Sequence, residues 1–244
     1  MSVDHLADIT VRLFGAAGVT VFLAFTCALC GLAIAVPMAL ARMSSSALLR
    51  LLASSYVFVF RGTPGLVQLF FLYYGVAQLE VVRDSIFWPI LRSPWWCAII
   101  ALSLNTGAYT TEIVRGALVA VPREQLESAR ALGMSPRVEI WMLRVPLAVR
   151  IGLPAYGNEI VLLIKATTIV STITLLDLMG EARLIYAQTF DPIAPMLIAA
   201  AIYVALGLGV AWLVMGAERM AFRERRRAGV KAVDAKLKVH ETGH

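Results

Sequence analysis

Three sets of residues in this chain of 244 have types and spacings that could do chemistry. The first is Asn105, Tyr109, Glu112 and Gly116, which recur at helical spacing and share one face; Glu112 is also within helical reach of Arg115. The second is Asn158, Lys165 and Thr172, spaced by seven, with Thr168 near the same face and Glu159 pointing elsewhere. Both sets are embedded in apolar sequence, where a polar group is costly unless it is paired or meets water. The Asn105 set is therefore either the lining of an aqueous path or a set of bonds between helices. Lys165 is either a pathway or gating charge, or a structural ion pair or a lysine reaching an interface. The third set, Glu127, Ser128, Ala129, Leu132 and Gly133, lies in the more polar segment between these two runs.

Catalytic chemistry is not expected. His5, His240 and His244 lie near the termini, so the sequence predicts no metal site and no Ser/His/Asp or Cys/His arrangement. Cys27 and Cys30 form a CxxC inside an apolar run without a nearby His or acid, and with Cys97 they read as small buried hydrophobes. No Gly-x4-Gly-Lys-Ser/Thr loop is present to cradle a nucleotide.

The elements that must carry these residues are membrane spans. The chain is 59% hydrophobic and only 16% charged, with a mean hydropathy of +0.77. No charge falls between Arg12 and Arg42, a run long enough to cross a bilayer. Leu48 to Phe60 reads as a short interfacial helix, Arg61-Gly-Thr-Pro64-Gly65 as a break, and a second span is expected to begin near Pro64. Further spans are expected over Trp95–Leu118, Ile151–Leu176 and Ala194–Met215. With the N-terminus outside, seventeen Lys and Arg fall on inner segments and four on outer ones, so the bias puts the N-terminus out and the C-terminus in. The net charge of +6 is thus a matter of topology, and no nucleic-acid partner is expected. The opening residues are acidic, and no removable signal peptide is expected. The basic tail from Arg219 reads as a topology anchor able to touch anionic membrane lipid. Asp177, Glu181, Arg183 and Asp191, between Thr174 and Pro195, suit an outer face that meets a docking protein, or a solvated loop.

The segment Val121–Pro146 is heavily punctuated. Pro122 can open a helix, Glu124 and Glu127 suit its positive end, and Leu126, Ala129 and Leu132 form a narrow apolar stripe. Gly133 suits a left-handed cap, Ser135-Pro136 a second helix start, and Pro146 that helix's end. Two short stiff helices joined at Gly133 are expected, and such a helix can dock in a groove of another protein.

Glu127-Ser-Ala129, three residues, Gly133, nine residues and Leu143-Arg-Val-Pro146 resemble the EAA signature of permease subunits of binding-protein-dependent ABC importers, with Ser128 in place of the middle alanine. Phe60–Gly75, Leu102–Gly116 and Asn158–Ser171 are similar to the polar amino-acid branch of that family, and the resemblance covers roughly residues 14–216. It implies an all-α polytopic protein with five transmembrane helices, the transmembrane domain of a type I ABC importer. Residues 1–12 would be a periplasmic segment, 13–216 the permease domain with its EAA loop at 120–146, and 217–244 a basic cytoplasmic tail. It implies that Glu127, Ser128, Ala129, Leu132 and Gly133 couple to an ABC ATPase dimer, which would hold the ATP and Mg, since this chain has no cofactor of its own. Asn105, Tyr109, Glu112, Asn158, Lys165 and Thr168 become pathway or gate candidates. A second permease subunit, expected to be a paralogue with a second copy of this chain as the alternative, and a periplasmic solute-binding protein complete the machine in the bacterial inner membrane. The run Lys165–Arg183 looks most like permeases for basic amino acids, histidine or opines such as octopine, although Ala166 stands where many relatives carry Asp. The alternative is an ATP-independent secondary transporter or channel, which commonly shows internal repeats; none is evident.

Overall fold

The computed structural model describes residues 3–241, with side chains from Leu6 to Met220. The three histidines and the tail's charges from Arg223 onward lie outside the described side chains. The charge-free first run becomes one helix, α1 (Val3–Met43), so residue 12 marks no break in it. Next come α2 (Ala47–Gly62), α3 (Gly65–Phe70), and a π-helical turn and a 3₁₀ turn reaching Gln78. Two single-turn helices, α4 (Glu80–Arg83) and α5 (Trp88–Leu91), lead into α6 (Pro94–Val119). After α7 (Arg123–Ala131) come α8 (Pro136–Val138), a π-helical stretch over 139–144, α9 (Val145–Ala166) and a 3₁₀ run to Ile173. Two helices, α10 (Leu178–Thr189) and α11 (Ile193–Glu241), complete the fold. No strand occurs among the described residues.

Four helices are long and apolar enough to cross a membrane, and the pair α2 and α3–Gln78, bent by 104°, makes a fifth crossing when taken together. The second span does not stand on the stretch after Pro64 alone, because Gly65–Gln78 falls short of the roughly 20 residues a bilayer requires. Thr63, the residue before Pro64, is extended (φ −117°, ψ 144°), which is why the helix breaks there. Inside a membrane such a break is tolerated only when its freed backbone groups find partners. The Phe60 carbonyl accepts from Gln68 Nε2 at 2.9 Å and Asn105 Nδ2 at 3.2 Å, and Gln68 also donates to the Thr63 carbonyl and hydroxyl.

The packing core is the crossing of α1 and α6. Small residues bring the backbones together: a Cβ on Gly31 would lie 2.6 Å from Thr106 Cγ2 and 3.2 Å from the Gly107 nitrogen. Leu23, Cys27, Leu69, Leu102, Leu163 and Ile173 fill the space around it, so Cys27 and Cys97 are buried apolar side chains while Cys30 is exposed. A second cluster joins α1, α10 and α11 through Leu13, Leu178, Ile185 and Ile202.

Pro146 ends no helix. Residues 136–166 run on continuously into the fourth span, because the wider π-helical turn over 139–144 relieves the clash that proline's ring and missing N–H would otherwise cause. The loop is therefore one short helix, a glycine cap, and the start of a long helix. The charges of the 174–195 segment are also largely used within the chain. Asp177 is fully buried, caps α10 by accepting from the Gly180 N–H at 2.9 Å, and accepts from the Tyr203 hydroxyl. Glu181 pairs with Arg12 at 2.7 Å. Arg183 stays exposed, and Asp191 caps the next helix by accepting from the Ile193 N–H.

Candidate functional site

Helix α7 starts after Pro122, with Glu124 in its first turn and Arg130 in its last, each complementing the helix dipole. It closes with a Schellman cap: the Gly133 N–H donates to the Arg130 carbonyl and the Met134 N–H to the Ala129 carbonyl. Gly133 has φ +79°, a conformation that side-chain-bearing residues rarely adopt. Leu126, 8% exposed, seats α7 against Ala117, Val121 and Ala148 at the base of α6 and α9, and Ala129 is buried beside it in α7. Leu132 does not join that seat; it is 85% exposed, together with Glu127 and Ser128 on the outward side. The Ser128 hydroxyl donates back to the Glu124 carbonyl at 2.7 Å.

A further clamp was not foreseen. Arg130 donates through Nε (2.6 Å) and Nη2 (3.1 Å) to the two oxygens of Glu139, whose carboxylate is only 2% exposed. The pair ties α7 to the π-helical turn that leads into the fourth span. The available signal was an Arg and a Glu nine apart, straddling a predicted glycine turn. Beside the pair is a cavity of about 310 Å³ lined by Val119, Leu126, Glu127, Arg130 and Arg144.

The polar residues of α6 are placed side by side but serve separate neighbours. Asn105 holds the break in the second span, donating to Gln68 Oε1 (3.1 Å) as well as to Phe60. Tyr109 lies under the Arg61 guanidinium, 5.2 Å from its ring centre. Glu112 pairs with Arg42 of α1 and with Arg115, the latter at 2.9 Å. The face on α9 is different. Asn158 and Lys165 are exposed, and among the described residues neither side chain is in a hydrogen bond or ion pair. Thr168 is half-buried, and its hydroxyl donates to the Lys165 carbonyl at 2.8 Å. Glu159, off that face as expected, is buried and accepts from the Thr106 hydroxyl at 2.8 Å, binding α9 to α6.

The Asn105 geometry makes a prediction. Asn105→Ala removes one donor to the Phe60 carbonyl and leaves Gln68 Oε1 without its partner, which costs about 1–2 kcal/mol. Thermal unfolding of the detergent-solubilised protein is expected to shift down, and Gln68→Ala is expected to lower it further because Gln68 serves three acceptors.

Comparison with known proteins gives a consistent result. Residues 31–219 match the family model described as "Binding-protein-dependent transport system inner membrane component". The chain is 42% identical over 219 residues to the nopaline transport system permease protein of Agrobacterium fabrum, covering 89% of this chain and 91% of that one. It is 42% identical over 212 residues to the octopine transport system permease protein of Rhizobium meliloti, covering 86% of each. Among solved structures, an amino acid ABC transporter crystallised with histidines superposes with a TM-score of 0.79 at 34% identity, covering 90% of this chain and all of that one. A methionine ABC transporter in inward-facing conformations shares the fold, with a TM-score of 0.67 at 19% identity over 91% of this chain and 99% of that one.

Proposed function

The chain belongs to the family of binding-protein-dependent transport system inner membrane components, and from that premise we propose how it works. It is a multi-pass inner-membrane permease subunit of an amino-acid or opine ABC importer, a transport subunit and not an enzyme. In our reading, α7 is its coupling helix: Glu127, Ser128 and Leu132 insert into a cleft of an ABC ATPase, while Ala129 and Gly133 set the helix's seat and angle. ATP and Mg belong to that partner. A solute-binding protein delivers the solute from the periplasm, with the N-terminus outside and the C-terminus inside.

One observation carries this reading. The outward side of α7 is free, yet its inward side is locked by a cap, an apolar seat and the Arg130–Glu139 pair to a helix that continues unbroken into a membrane span. A push on α7 therefore moves α9 and its exposed face, Asn158 and Lys165. Among the described residues these two side chains have no partner, which suits a wet path or a second permease subunit. We take the second subunit to be a paralogue and the solute to be an opine or basic amino acid, since the relatives are permeases for nopaline and octopine.

The test is uptake by the reconstituted importer. Glu127→Arg is expected to leave the chain inserted, because Glu127 is exposed, but to reduce both ATPase co-purification and ATP-driven uptake roughly tenfold. Unchanged attachment and uptake would remove the coupling role, and uptake without ATP would favour a secondary transporter instead.

A further inference from the structure

At the Arg42 end of α1 a cavity of about 600 Å³ opens between α1, α2 and α6. Its polar side carries Arg42, Arg61 and Glu112, and its apolar side Val57, Phe58 and the Tyr109 ring. Glu112 is the only acid on this wall, and it is already shared between Arg42 and Arg115. Glu159 also acts on Arg61 through space, so three arginines face two carboxylates and the cluster keeps one positive charge in excess. Arg61 is exposed, and among the described residues it is in no ion pair. Its guanidinium carbon sits over the Tyr109 ring, a contact that uses none of its N–H donors on a carboxylate. Phe58 is 80% exposed beside it. The cavity therefore combines a cationic rim with an apolar wall. It lies where α1 ends at its basic last turn, the end that the Lys/Arg bias assigns to the cytoplasmic leaflet.

We propose that this cleft is a binding site for an anionic phospholipid, its headgroup phosphate held between Arg42 and Arg61 and an acyl chain laid along Val57 and Phe58. The charge excess selects an anion, and the exposed Phe58, rising from the buried Val57, selects an amphiphile over a free ion. The lipid fills the angle between α1 and the bent second span, and so supports the break at Thr63–Pro64. The site is separate from both α7 and the Asn158–Lys165 face, so it stands or falls independently of the coupling reading.

The experiment uses the assembled importer, with its partner permease and ATPase, in mild detergent. Native mass spectrometry reads the lipid retained after incubation with phosphatidylglycerol or with phosphatidylcholine. Phosphatidylglycerol is expected to be retained preferentially, and Arg61→Gln to lower its retention roughly fivefold. Arg50→Gln is expected to match the wild type, because Arg50 is on α2 outside the cavity and donates to the Ser44 and Ser45 carbonyls. Equal retention of the two lipids, or equal retention by Arg61→Gln and wild type, overturns the proposal. So does displacement of the lipid by inorganic phosphate, which would make this a free-anion site. Loss of the partner permease from the Arg61→Gln complex also overturns it, because a partner carboxylate would then be the occupant.

Discussion

Replacing Gly31 by leucine is expected to remove about 3 kcal/mol of stability and with it most of the assembled protein. A Cβ at position 31 meets Thr106 Cγ2 at 2.6 Å, but also the Gly107 nitrogen at 3.2 Å and the Ser103 carbonyl oxygen at 3.4 Å. The latter two are backbone, so relief requires α1 and α6 to move apart, and the interior packs around their crossing. The milder Gly31→Ala isolates the cause. Its worst contact is a single methyl, and Thr106→Ser deletes that methyl while keeping the hydroxyl that donates to Glu159. The double variant Gly31→Ala/Thr106→Ser is expected to recover much of the thermal stability lost by Gly31→Ala alone. No recovery would mean that the close approach of the two helices is not what limits the site.

Gly133→Val is expected to spare insertion and to strike coupling. Nothing lies within 4 Å of a Cβ built there, so no clash follows. The cost is conformational, since φ is +79°. A β-branched residue forced into that region costs about 1–2 kcal/mol, enough for roughly a tenfold shift away from the capped geometry. Uptake in proteoliposomes and ATPase co-purification should fall together, while the protein's level in the membrane stays near normal. Asn tolerates left-handed backbone, so Gly133→Asn is expected to retain most of the activity. If valine and asparagine behaved alike, the cap would not set the helix's angle.

Features that rest on local rules were legible in the sequence. The charge-free run from Arg12 to Arg42, the break at Arg61–Gly65, and Gly133 as a left-handed cap all follow from residues acting on their own neighbourhood. Features that rest on distant partners were not. Asp177 and Glu181 read as surface charges until Tyr203 and Arg12 came within reach. Glu139 carried no signal by itself, and its importance came from Arg130 folding back across the turn. Leu132 kept the spacing of the apolar stripe but fell at the cap, where the helix rotation ends, and so faced outward. Pro146 misled for a different reason. The rule that proline ends a helix assumes an α-helical turn before it, and a π-helical turn suspends that rule.

That turn over 139–144 has a mechanical meaning. It holds one residue more than the α-helical geometry on its C-terminal side, so it sets the angular phase between the short helix below the membrane and the long one inside it. Rewinding it by a single residue would turn every side chain beyond by about 100° and advance it by about 1.5 Å. A slip of that kind would couple a displacement along the helix axis to a rotation of the whole span beyond the turn.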